Sequence, residues 1–91
     1  GNATVEVDTD IAGAIADEIK IYPNPVNDEL HIISNSEIQT ISVFDITGKL
    51  IIKKAPTCKQ IEISLSEIQS GVYFVEIECN KQTVIRKIVK D

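Results

Sequence analysis

Few side chains in this sequence could do chemistry, and they stand far apart. His31, Cys58 and Cys79 are its only imidazole and thiol groups. A tetrahedral metal site takes four donors at close spacing, which three such scattered residues do not supply. A serine or cysteine nucleophile needs an adjacent base, and the chain has neither a Gly-x-Ser-x-Gly elbow nor a phosphate-binding glycine loop. Glu76 and Glu78 would share one strand face at the i, i+2 spacing. That could make an acid and base pair, although two solvated outward acids explain it as well. Asp8-Thr9-Asp10 has the opening spacing of a calcium loop without the glycine and bidentate acid that complete one, and Asn2-Ala3-Thr4 fits a glycosylation sequon. The expectation is a protein that is not an enzyme and holds no cofactor or metal.

The elements that would position these groups are strands. The 91-residue chain is 43% apolar, rich in Ile and without Met or Trp; β-branched Ile favours extended backbone, and the length suits one domain. A net charge of −5 argues against nucleic acid as a partner. No apolar run reaches the roughly 20 residues that span a bilayer, and no signal peptide opens the chain. Cys58 and Cys79 allow one disulfide or two unrelated thiols, the second reading being favoured because nothing in the sequence brings them together.

Residues 1-17 read as an acidic linker, with Glu6, Asp8, Asp10 and Asp17. Val5 and Val7 could add a short edge strand, and Ile11 to Ile19 a weak helical turn. Over 18-91, turn signals recur about every eight to twelve residues, the spacing of an all-β sandwich. Seven antiparallel strands are expected: near Glu18 to Tyr22, Glu29 to Ser34, Ile38 to Phe44, Lys49 to Lys54, Gln60 to Ser64, Gly71 to Glu78 and Gln82 to Lys90. Side-chain alternation points Leu30, Ile32, Ile61, Ile63, Leu65, Tyr73, Val75 and Ile77 inward and His31 outward. Pro23 and Pro25 end the first strand, and Asp45-Ile-Thr-Gly48 closes a hairpin. Before the sixth strand, Ser66 could cap one helical turn, with Gln69 as its capping-box partner and Gly71 as its stop. Tyr73 has the place of a corner tyrosine whose hydroxyl ties this turn back. The last strand mixes apolar and cationic residues on both faces, as an edge strand does.

Four stretches in series carry a family resemblance: Tyr22-Pro-Asn-Pro-Val-Asn27, Ile41-Ser-Val-Phe-Asp-Ile-Thr-Gly48, Ile63-Ser-Leu-Ser-Glu-Ile-Gln-Ser-Gly-Val-Tyr-Phe-Val75 and Lys87-Ile-Val-Lys90. Over Ile19 to Asp91 the sequence resembles the type A C-terminal sorting domain of the type IX (Por) secretion system. The resemblance implies an immunoglobulin-like β-sandwich at the tail of a secreted protein of Bacteroidetes type. Such a domain directs an N-terminal cargo domain, after Sec export into the periplasm, through an outer-membrane translocon. A surface sortase then removes it and anchors or releases the cargo, which ends up secreted or on the cell surface.

By position, the resemblance implies recognition roles for Pro23, Asn24, Pro25, Gly71, Tyr73, Lys87 and Lys90 and turn roles for Asp45 and Gly48. Lys87 and Lys90 are expected to be exposed on an open cationic edge that meets a receptor, and open edges also make a strand-paired homodimer an option. The cut would fall in the acidic Thr4 to Ala16 stretch. The alternative is an immunoglobulin- or fibronectin-like adhesion or carbohydrate-binding module, against which the lack of Trp weighs.

Overall fold

Alternating Ile and Val positions drive the chain into strands from Ile19 to Lys90, and turn residues cut it into six. A computed structural model describes residues 18–91; the edge strand at Val5 to Val7, the helical turn from Ile11 and the linker 1-17 lie outside that range. The strands are β1 (Ile19–Tyr22), β2 (Glu29–Asp45), β3 (Leu50–Lys54), β4 (Cys58–Ser64), β5 (Gly71–Cys79) and β6 (Gln82–Lys90). Every ladder between them is antiparallel.

The expected second and third strands are one strand, so the count is six and not seven. Ser34-Asn35-Ser36 looks like a turn signal because such side chains compete for backbone groups. Here they satisfy a bend without ending the strand. Asn35 donates its N–H to the Glu18 carbonyl at 3.3 Å and accepts the Glu18 N–H on Oδ1 at 3.1 Å, while Ser34 Oγ accepts the Ser36 N–H at 3.1 Å. The ladder to β4 shifts register across this bend, between Ile33 and Ile38, and the ladder to β5 shifts just beyond it, between Ile38 and Thr40. The two halves of β2 consequently have different neighbours: β1 and β4 flank the first half, and β3 and β5 flank the second, with β6 outside β5.

The core is aliphatic. Leu30, Ile32, Ile38, Ile41, Val43, Leu65, Val75 and Ile77 are fully buried, with Ile63, Tyr73 and Ile88 close behind, so the expected inward positions hold, Ile61 being half-buried. Each such Leu or Ile contributes about 1.5–3 kcal/mol by leaving water. Both phenylalanines lie outside this set: Phe44 and Phe74 pair across β2 and β5 and are half-buried. On the face opposite Leu30 and Ile32, His31 stacks on Tyr22 at 5.2 Å and places Nδ1 3.3 Å from Glu62 Oε2, a row of three cross-strand neighbours.

The turns follow their residues. Gly48 donates its N–H to the Asp45 carbonyl at 3.0 Å at a φ of +89° that favours glycine. Asn80 and Lys81, at φ +52° and +63°, make the two-residue connection of β5 to β6, the twist-matched hairpin type. The capping box before β5 does not form. Ile68 donates to the Leu65 carbonyl at 3.3 Å in a single turn, Ser66 meets the Ser64 hydroxyl at 3.1 Å, and Gln69 contributes its carbonyl to Tyr73. The Ser66 hydroxyl is engaged by Ser64 instead of reaching Gln69.

Candidate docking interface

The first loop is fastened to the last strand. Tyr22-Pro23 and Asn24-Pro25 are both cis peptides, and Asn24 between them faces the outer side of β6. Its Oδ1 accepts the Val89 N–H at 3.0 Å and its Nδ2 donates to the Lys87 carbonyl at 3.3 Å. An amide side chain carries the same acceptor and donor as a peptide group, so Asn24 stands in for a neighbouring strand. Val26 continues the pairing: its N–H donates to the Val89 carbonyl at 2.7 Å and its carbonyl accepts the Asp91 N–H at 2.8 Å, a parallel bridge opposite Lys90. The Val26 side chain is fully buried.

This clamp changes the expected cationic edge. Lys90 is 8% exposed, its Nζ donating to the Asp91 carbonyl at 3.0 Å, so it is not an exposed recognition cation. It shares its strand face with buried Ile88, and its long apolar stem accounts for the burial. Nor is the edge open from the Lys87 carbonyl to Asp91, where Asn24 and Val26 occupy the outward backbone groups. Lys87 itself is exposed. Of the other sequence-derived positions, Tyr73 behaves as expected: its hydroxyl donates to the Gln69 carbonyl at 2.8 Å. Gly71, at φ +152°, lets the chain enter β5 where a side chain would be strained.

At the opposite side of the β2–β5 ladder, Asp45 organises its hairpin. Its Oδ1 accepts the Thr47 hydroxyl at 2.6 Å, the Thr47 N–H at 2.9 Å and the Lys49 N–H at 3.0 Å. The Thr47 hydroxyl and then the Lys49 N–H hold its carboxyl below the ordinary aspartate value, against a smaller upward effect of burial. Asp45 pairs with Tyr73, Tyr73 with Ile88 and Gly71 with Lys90 across successive ladders, and Asn24 meets Lys87 and Val89 on the outer side of β6, so these sequence-derived positions share one end of the sheet, spread over β2, β5 and β6.

Cys58 and Cys79 are separate thiols, the first half-buried and the second buried. Both lie opposite Ile38, on different sides of β2. Cys79 Sγ sits 3.3 Å from Ser34 Oγ at the bend. A cleft of about 650 Å³ opens between β3 and β4 over Ile52, Ile63 and Ile68, with Lys54, Glu62 and Glu67 at its rim. Among the described residues no group of three or more acidic, His or Cys side chains is placed to hold a metal ion.

Sequence reasoning placed Asn24 among the recognition residues but missed its structural work, and it missed Val26 altogether. The available signal was an amide held between two prolines, a residue type able to replace a ladder partner. What it would pair with, more than sixty residues away, was not written locally.

Fold and geometry together define the class, an antiparallel β domain whose surface consists of strand edges and tight turns. The chain belongs to the secretion system C-terminal sorting domain family, whose model matches residues 20–91. Membership makes it a type IX secretion signal, part of a precursor destined for the cell surface or exterior. A similar solved structure is PorZ, an essential bacterial surface component of the type IX secretion system of Porphyromonas gingivalis, with a TM-score of 0.65 and 19% identity over 80% of this chain and 11% of that one. Dimeric latent PorU from the same organism aligns with a TM-score of 0.47 and 21% identity over 88% of this chain and 10% of that one. The chain thus spans about a tenth of either structure, and the first likeness shows a shared fold. Comparison with curated proteins returns no match.

Proposed function

We propose that this domain is the folded address that an outer-membrane type IX translocon reads on a cargo delivered to the periplasm by Sec export. A surface sortase then cuts it away within the acidic Thr4 to Ala16 stretch, and the cargo is anchored or released. The domain is the substrate of that machinery and has no catalytic part in it. The family match over residues 20–91 carries the reading, since it begins within β1 and covers every later strand. The change of partners along β2 supports an immunoglobulin-like sandwich in which one strand passes from layer to layer, as bent strands do at sheet corners.

Pro23, Asn24 and Pro25 serve recognition by closing the domain, Gly71 and Tyr73 by setting the entry to β5, and Lys87 by presenting an exposed cation. Fusing residues 1–91 behind a Sec-exported reporter in a host with the type IX system should bring the reporter to the cell surface. Retention of a folded fusion in the periplasm overturns the reading and favours an adhesion module.

A further inference from the structure

The clamp that covers one end of the β6 edge leaves the other end uncovered, and the ladder geometry tells which groups are left. Val89 N–H and C=O and Lys87 C=O point away from β5, toward Asn24 and Val26. The β5–β6 register runs without a bulge from Gly71↔Lys90 to Cys79↔Gln82. In an antiparallel ladder outward and inward backbone groups alternate. Thr83 and Ile85 therefore point both their N–H and C=O groups outward, as Lys87 does its N–H, and among the described residues nothing meets them. Ile85 is 59% exposed; Lys81, Arg86 and Lys87, on β6 and its turn, are the exposed cations an added strand would lie beside, while Glu76 and Glu78 stand on the inner side, across the β5–β6 ladder from Ile85 and Thr83.

We propose that Thr83–Lys87 is a strand-addition site, at which the sorting machinery pairs an acidic, extended segment of its own with the uncovered half of β6. The proposal rests on the sorting reading above and names the kind of partner that reading requires. Main-chain ladder bonds give such a mode its affinity, and side-chain pockets and charge give it selectivity. The charge argues against a second copy of this chain. A two-fold pairing centred on Ile85 sets Arg86 opposite Val84 and Lys87 opposite Thr83, and gathers the cations of both copies around one residue. An acidic strand removes that repulsion. The Pro23–Val26 clamp then has a second effect, confining strand addition to one short window.

The test is Ile85→Pro in the full chain, fused to the exported reporter. The substitution removes an outward N–H and blocks the approaching strand, yet deletes no bond to β5, and proline is tolerated on edge strands. Ile85→Thr, which keeps the N–H, is the control, and Thr83→Pro is a second blocking variant should the first unfold. The expected result is surface export lowered about tenfold or more by the proline, near normal with threonine, with the Val89 amide still protected in both. Normal export of a folded proline variant overturns the strand-addition site and leaves the sorting reading standing. Failure of the unsubstituted fusion to export overturns both. Sedimentation showing a dimer that Ile85→Pro dissolves, or Ile85 amide protection that is lost when residues 1–17 are removed, overturns the assignment to a receptor strand.

Discussion

Asn24→Ala removes the two bonds by which the first loop holds the last strand. Asn24 is exposed, so water takes over both β6 groups and neither is left buried and unpaired. The loss is thus near the low end for two hydrogen bonds, about 1–2 kcal/mol in all. For a domain of this size that lowers the melting temperature by about 4–15 °C. Amide exchange supplies an internal control. The Val89 N–H, bonded to Asn24 Oδ1 at 3.0 Å, should exchange about tenfold faster or more beyond the global change. The Ile88 N–H, directed to β5, should follow global stability alone. Asn24→Asp keeps the acceptor and loses the donor to the Lys87 carbonyl at 3.3 Å, so Val89 stays protected while stability still falls. Melting within a degree of the parent, with an unchanged Val89 rate in Asn24→Ala, would refute the clamp.

Tyr73→Phe deletes the bond to the Gln69 carbonyl and should cost about 1 kcal/mol, seen as an earlier denaturant midpoint with faster exchange in residues 65–70. Lys87→Glu should leave thermal unfolding nearly unchanged while reducing export, whereas Lys90→Glu places a carboxylate in a buried position beside the Asp91 carbonyl that Nζ now meets, and should destabilise by about 1–3 kcal/mol; calorimetry on the two single variants separates them. Asp45 has a folded pKa below its unfolded one, so its contribution is fully present above the unfolded value near 3.8 and is lost as pH falls through the folded value. Asp45→Asn should flatten that acid limb of a stability-against-pH curve, and an identical limb in the variant counts against the hairpin role.

What could be read from the sequence was whatever depends on neighbours within a few residues. Asp45 and Gly48 announced their turn because one side-chain oxygen reaches N–H groups two and four residues on, and Tyr73 announced its corner because its partner is four residues back. The alternation in β4 and β5 marked the buried face for the same reason. The bend in β2 was misread because Ser34-Asn35-Ser36 has the composition of a turn, and only the long-range meeting with Glu18 and Cys79 lets the strand run on. Lys90 was misread because charge predicts exposure for most lysines, while the approach of Val26 lies outside any local pattern.

The join between residues 24–26 and 87–91 has a kinetic corollary. A polypeptide delivered from its N-terminal end can build the bent pairing of β2 with β3 and β4 early, but its opening loop finds no seat until β6 has emerged. Closure entropy must be met across more than sixty residues before these last contacts stabilise anything. The domain should hence remain threadable through a narrow pore for most of its delivery and set only at the end, as a buckle does when the far end of the strap arrives.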